Sequence, residues 1–258
     1  MTELAQQVAA IAAEAGRLAI DRWQTDFKRW EKVAGSPVCD VDLEVDRLLY
    51  RQLRALVPEA GWLSEETIDN TARLGNSRLW VVDPIDGTRD YLRGRPGWAV
   101  SVALVEDGRP LIGVLDAPAR DEKWIAEAGK GAFRNGRRLY AGNRTRLAGA
   151  RVPADQLPRV DSDLKMVAKP NSIALRIAMV AANEADLLAT IRWGNEWDIA
   201  AAVLIASEAG ATVSDALGRP LDFNTPAAEA FGVLATVPGI HVAAVERLAE
   251  RAAAGIKR

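Results

Sequence analysis

The segment of this chain best suited to chemistry is Asp83-Pro84-Ile85-Asp86-Gly87-Thr88. An apolar run, Leu79 to Val82, stops at Asp83, so two carboxylates three residues apart follow the end of a buried strand. Pro84 stiffens the turn, and the Ile85 carbonyl lies between the acids as a third oxygen. Hard oxygens of this kind suit Mg²⁺ rather than zinc. A simple turn also accommodates two acids, but a buried strand running into both is costly without a cation. If Gly87 and Thr88 open a helix, their N–H groups face the same cavity and can hold a phosphate. Glu65 and Glu66, within Ser64-Glu65-Glu66-Thr67, form a second carboxylate pair or a solvated loop. Asp198, ahead of an Ala-rich helix, is a further carboxylate or that helix's N-cap.

Composition excludes several other chemistries. The 258-residue chain has one cysteine, Cys39, and one histidine, His241. An internal disulfide, a zinc site of several thiolates and a multi-histidine centre are therefore ruled out, and a Ser-His-Asp triad is disfavoured. Gly129-Lys130-Gly131 lacks the spacing of a P-loop. With 33 basic and 35 acidic residues the net charge is -2, which gives no support for nucleic-acid binding. No apolar stretch approaches the roughly 20 residues that span a bilayer. No basic residue precedes Arg17, unlike the start of a signal peptide. The expectation is a soluble cytoplasmic protein with neither a membrane nor a nucleic acid as partner.

The elements that must position these residues mix helices and strands. Leu4, Val8, Ile11, Ala15 and Leu18 have the spacing of an amphipathic first helix. Val33 to Cys39 reads as a loop or short hairpin punctuated by Gly35 and Pro37, and Asp42 to Val57 as a second helix. Ala99 to Val105 and Pro110 to Leu115 form strands around Glu106-Asp107-Gly108-Arg109, and Lys123 to Ala128 and Gly131 to Phe133 two more around Gly129. The signal is weak from Gly142 to Asp163. A helix over Ser172 to Ala182, a strand over Ala185 to Ile191 and helices over Ile199 to Ala209 and Ile240 to Ala254 follow. Strands that come partly as hairpins among helices predict an α+β or layered α/β sandwich. Residues 1–141 form an N-terminal lobe with most of the candidate ligands, and residues 142–258 a C-terminal lobe that contributes Asp198.

Together the motifs resemble the inositol monophosphatase superfamily of Mg²⁺-dependent, lithium-sensitive phosphatases. Its pattern D-P-[IL]-D-G-[TS] is matched in full by Asp83 to Thr88, W-D-x-A-A by Trp197 to Ala201, and its glutamate pair by Glu65-Glu66. Ala99 to Leu115, Gly131 to Gly136 and Ser207 to Asp215 look like family framework. The resemblance implies a layered α-β-α-β-α sandwich that binds two or three Mg²⁺ through Glu65, Asp83, the Ile85 carbonyl, Asp86 and Asp198. It implies that Gly87 and Thr88 hold the substrate phosphate through main-chain N–H groups. Thr88 with Asp42 would polarise the attacking water, which makes Asp42, Thr88 and Glu65 the catalytic set. Cys39 stands where the family usually has threonine, in Val38-Cys39-Asp40-Val41-Asp42. Asp46, nearby, reads as a solvated helix residue. A homodimer is the common family assembly.

Substrate cues point several ways. Arg89, Arg93 and Arg95 follow the main motif, and Arg93 is the candidate for holding a second phosphate, with a solvated or dimer-contact loop as the other reading. Glu196-Trp197-Asp198 and Leu221-Asp222-Phe223-Asn224 resemble the 3'(2'),5'-bisphosphate nucleotidase branch. Ile191 occupies a position where animal-type inositol phosphatases place a glutamate that contacts inositol hydroxyls. These features favour adenosine 3',5'-bisphosphate, with inositol-1-phosphate next and histidinol phosphate or a sugar bisphosphate behind. The rival of a different class is a regulatory binding protein that retains an old site.

Overall fold

In a computed structural model that describes residues 1–33 and 36–256, the layers follow from which side chains must be buried together. Helix α1 (Glu3–Arg22) leads into a hairpin of β1 (Arg29–Val33) and β2 (Ser36–Cys39), then α2 (Asp40–Leu56). Gly35, predicted to punctuate the hairpin, lies outside the described residues. Strands β3 (Gly61–Ser64) and β4 (Arg78–Asp86), short helix α3 (Thr88–Leu92), and strands β5 (Ala99–Glu106), β6 (Arg109–Ala117), β7 (Glu122–Glu127), β8 (Gly131–Arg134) and β9 (Arg137–Arg138) come next. Strands β3 to β9 lie side by side in chain order as one seven-stranded sheet, antiparallel except for the parallel β3–β4 pair.

Alternation along this sheet serves two cores. On β4, Leu79 and Val81 enter one apolar cluster and Trp80 and Val82 the other. On β5, Ala103 and Val105 face the first and Val102 and Leu104 the second, which is the period-two pattern of a strand buried on both faces. The second cluster is closed by α1 and α2.

The rest of the chain covers the first cluster. It comprises β10 (Arg151–Pro153), β11 (Lys165–Val167), α4 (Ile173–Ala181), β12 (Leu187–Ala189), β13 (Trp193–Asn195), α5 (Ala200–Glu208), β14 (Thr212–Ser214), β15 (Glu229–Phe231), β16 (Leu234–Thr236) and α6 (His241–Gly255). Helices α4 and α5 pack on the large sheet, and a small sheet of order β12-β16-β14 lies beyond them, with α6 outermost. This is the expected α-β-α-β-α sandwich. The Ala-rich α5 approaches β6 so closely that a Cβ on Gly113 would fall 2.5 Å from the Ala201 carbonyl oxygen. Glycine is required there by backbone contact.

The differences from expectation have local causes. The stripe of α1 that is fully buried is Ala5, Val8, Ala12, Ala15 and Ala19, while Leu4, Ile11 and Leu18 flank it, because small residues let the helix seat closely. Helix α2 starts at Asp40 because Cys39 and Asp42 cap each other reciprocally. The weak stretch after Gly142 is anchored by charge instead of apolar periodicity. Asp186, buried, receives Arg144 at 3.1 Å and Arg151 at 2.7 Å.

Candidate active site

The acids converge because β4 does not end at Asp83. It continues to Asp86 with a bulge, since Asp83 pairs with Ser101 and Asp86 with Ala99, three steps on one strand against two on its neighbour. In a regular strand residues i and i+3 point to opposite faces, and the extra residue returns them to one side. Pro84 suits this position because it has no N–H to contribute to the ladder. The Ile85 N–H donates to Asp83 Oδ1 at 3.0 Å. Asp198 reaches the same place from the turn between β13 and α5. It does not cap α5, whose N-cap is Ile199. Ligand oxygens of Asp83, Asp86 and Asp198 lie within 4.8 Å of one another.

Glu65 stands outside that tightest group, but its charge acts on both Asp83 and Asp198. Burial, then the charges of Glu65 and Asp86, push the Asp83 carboxyl well above the ordinary range. Burial and the charges of Asp86 and Glu65 do the same to Asp198. Asp86 is raised to about 6, chiefly by burial, against hydrogen bonds that favour its charged form. Those bonds come from the start of α4: the Ser172 hydroxyl at 2.5 Å, the Ala174 N–H at 2.7 Å and the Ile173 N–H at 3.3 Å. Three carboxylates so close cannot all ionise unaided. A hard divalent cation fits both the oxygen donors and this unmet negative charge.

Asp42 is 1 % exposed. Its Oδ2 accepts from the Cys39 N–H at 2.8 Å and from the thiol at 2.9 Å. Its Oδ1 lies 3.5 Å from the Thr88 hydroxyl, which sits closer, at 2.9 Å, to the Ile85 carbonyl. Burial, followed by the Asp42 charge, raises the Cys39 thiol far above its usual range, so it is a neutral donor. Gly87 has φ +95°, and a Cβ there would lie 2.6 Å from the Gly97 carbonyl oxygen, so only glycine fits the loop.

Several other residues depart from their sequence reading or escaped it. Asp46 is not a solvated helix residue: it is buried, and accepts from the Ser64 hydroxyl at 2.5 Å and the Thr67 hydroxyl at 3.2 Å. It organises the Glu65-Glu66 turn from one turn of helix beyond Asp42, a same-face i,i+4 spacing that could have revealed it. Asp46→Ala is expected to raise the Mg²⁺ concentration for half-maximal activity by about 10–100-fold, as loss of support behind a ligand does. An unchanged titration in activity assays would remove this role.

Ser172 and Arg176 were also missed. The first supports Asp86, and the second donates to the Ser172 and Asn171 carbonyls at 3.2 and 3.0 Å. Glu196 is fully buried and braces the chain, accepting from the Asn224 N–H at 2.7 Å and from the Thr225 N–H and hydroxyl at 2.8 and 2.5 Å. Asn224 accepts from Arg73 at 2.8 Å, and Arg73 grips Asp69 beyond the Glu65-Glu66 turn. The two nucleotidase-like cues therefore meet each other in one structural anchor. Trp98 packs against Tyr91 and Trp23 in the core. His241 is half-buried and hydrogen-bonded to the Thr236 hydroxyl. Arg93 lines a cleft of about 350 Å³ with Arg95, Gly97 and Lys169, and none of the three clustered acids lines it.

Comparison with known proteins gives consistent matches. The inositol monophosphatase family model matches residues 1–257. A fructose-1,6-bisphosphatase/inositol-1-monophosphatase of Thermotoga maritima is 35% identical over 190 residues, covering 70% of this chain and 72% of the relative. Inositol monophosphatase 2 of Solanum lycopersicum is 30% identical over 238 residues, covering 83% and 89%. The crystal structure of the extragenic suppressor protein SuhB from Bartonella henselae superposes with a TM-score of 0.84 at 27% identity, covering 96% of this chain and 98% of that one.

Proposed function

The chain belongs to the inositol monophosphatase family, and on that premise we propose that it hydrolyses a small phosphorylated metabolite with a metal-activated water. The observation that carries this reading is the convergence of Asp83, Asp86 and Asp198 within 4.8 Å where burial resists their ionisation. Glu65, Asp83, the Ile85 carbonyl, Asp86 and Asp198 would hold Mg²⁺, which supplies charge that makes a bound water acidic and stabilises the leaving oxygen. The Gly87 and Thr88 N–H groups hold the phosphate. Asp42, steadied by Cys39 on Oδ2, presents Oδ1 to the Thr88 hydroxyl at 3.5 Å. The hydroxyl turns from the Ile85 carbonyl to donate to Asp42, and its oxygen then accepts a hydrogen bond from the attacking water and polarises it. The 142–258 lobe completes the site through Asp198.

Within this class we propose adenosine 3',5'-bisphosphate, losing its 3'-phosphate, as the substrate. Ile191 offers inositol hydroxyls no carboxylate, which weighs against the runner-up, inositol-1-phosphate. A homodimer and a cytoplasmic location belong to the same proposal; no helix among the described residues is long and apolar enough to cross a membrane.

The test is phosphate release with Mg²⁺, with and without lithium, from adenosine 3',5'-bisphosphate, inositol-1-phosphate, fructose-1,6-bisphosphate and histidinol phosphate. A lithium-sensitive preference for the nucleotide supports the proposal. A preference for inositol-1-phosphate moves the substrate, and silence across the panel favours the binding-protein reading.

A further inference from the structure

Strand β5 carries a hydroxyl that the fold itself does not use. Ser101 is 1 % exposed, and its Oγ makes no hydrogen bond. Its neighbours on the same face of the strand, Ala99, Ala103 and Val105, are apolar and belong to the cluster beneath α4 and α5. A buried hydroxyl without a partner costs more than the hydrogen atom that alanine would put in its place. The other buried side-chain atoms left without a partner among the described residues are four indole nitrogens and one oxygen of Asp40. Ser101 is the one hydroxyl so left.

Its place in the sheet gives the hydroxyl a destination. Ser101 stands directly opposite Asp83 in the β4–β5 ladder, the last regular pair before the bulge. Side chains of such a pair project to the same face with Cβ atoms about 4.5–5.5 Å apart, a span that a hydroxyl and a carboxylate can bridge. A carboxylate has about four lone-pair positions. On Asp83 the Ile85 N–H occupies one, on Oδ1, and a cation would take another. Asp86 has three donors from the start of α4, whereas the Asp83 carboxyl has the Ile85 N–H alone among the described residues. A donor behind a ligating carboxylate fixes its orientation and strengthens its hold on the metal.

We propose that Ser101 is a positioning residue: its hydroxyl donates to the Asp83 carboxylate when that group ligates the cation, and so sets the affinity of the site for Mg²⁺. This rests on the phosphatase reading above. In this role Ser101 touches neither the phosphate nor the attacking water, so it acts on metal affinity and not on the recognition of substrate.

Calorimetric titration with Mg²⁺ alone, together with thermal scans, separates this role from a structural one. Ser101→Ala is expected to raise the Mg²⁺ Kd about tenfold or more, the scale for support behind a metal ligand. Its Tm in EDTA is expected to equal or exceed that of wild type, because the exchange removes an unsatisfied hydroxyl. Mg²⁺ at a fixed concentration should then raise the Tm of the variant by less than that of wild type. At saturating Mg²⁺ the KM for substrate should be unmoved. The control is Ser214→Ala on β14, whose hydroxyl donates to the Asp215 carbonyl at 2.8 Å and whose loss should leave the Mg²⁺ Kd as it is. An unchanged Kd in Ser101→Ala, or a Tm lowered equally in EDTA and in Mg²⁺, overturns the proposal. In either case Mg²⁺ binding and phosphate release by wild type uphold the phosphatase reading. A wild-type chain that binds no Mg²⁺ and releases no phosphate takes down both.

Discussion

Asp83→Asn is expected to lower kcat by roughly a thousandfold or more and, at neutral pH without divalent cations, to make the protein more stable. The two effects share one cause. Asp83 is buried among Glu65, Asp86 and Asp198, and burial and those charges all disfavour its ionised form. Asparagine keeps the shape and removes a charge, so the metal-free cluster loses repulsion on the order of 1–2 kcal/mol. For a chain of this size that is a rise of about 2–8 °C in Tm. On the proposed metal set, the same change also deletes a ligand. Steady-state kinetics and scanning calorimetry in EDTA read the two halves separately. Near wild-type turnover would remove Asp83 from the metal set, and a lower metal-free Tm would contradict the repulsion account.

The second large effect concerns the unmutated chain. Without divalent cations its stability is expected to fall as pH rises from about 4 to 8. Unfolded aspartates titrate near 3.9, whereas Asp86 in the fold is raised to about 6 and Asp83 and Asp198 are raised as well. The folded state therefore holds more protons over this interval, and stability contributed below the unfolded value is lost as pH passes through the folded ones. Mg²⁺ at about a hundred times its Kd adds about 2.7 kcal/mol, or about 5–10 °C. It should also flatten the slope, because the cation takes the place of the protons. Thermal scans from pH 4 to 8 with Mg²⁺ or EDTA decide it. A flat metal-free profile, or a Tm indifferent to Mg²⁺, would mean that the three acids do not form one metal-linked unit.

Much of this site is legible in the sequence, for an identifiable reason. Asp83, Asp86, Gly87 and Thr88 are contiguous, so their geometry is a property of one bulge and one left-handed glycine. Asp42 and Glu65 were found through motif resemblance, and their neighbours were not. Asp46 looked solvated because helix periodicity does not say that Ser64 and Thr67 arrive from another element to occupy it. Glu196 and Asn224 each lie in a stretch that resembles the bisphosphate nucleotidase branch. Only the fold reveals that they satisfy each other across 28 residues. Arg93 and Arg192 show the same limit. Nearness in sequence favoured the arginine after the main motif, while Arg192, just before β13, lines a pocket with Asp198 that Arg93 does not. The layers were readable because both faces of β4 and β5 are apolar. The stretch held by Asp186 was not, since ion pairs leave no period.

The order in which the chain is made gives the bulge a further consequence. Strands β4 to β9 are joined by short connections to their own neighbours, so on a ribosome the large sheet can pair as it emerges. Asp83 and Asp86 then exist as a pair well before Asp198, which is synthesised more than a hundred residues later and arrives only with α4 and α5. A nascent chain thus carries Asp83 and Asp86 without Asp198 until the second layer docks. On the proposed metal set, cation capture is then a late step that follows the docking of the second layer, and a product truncated before Asp198 lacks one member of the acid cluster.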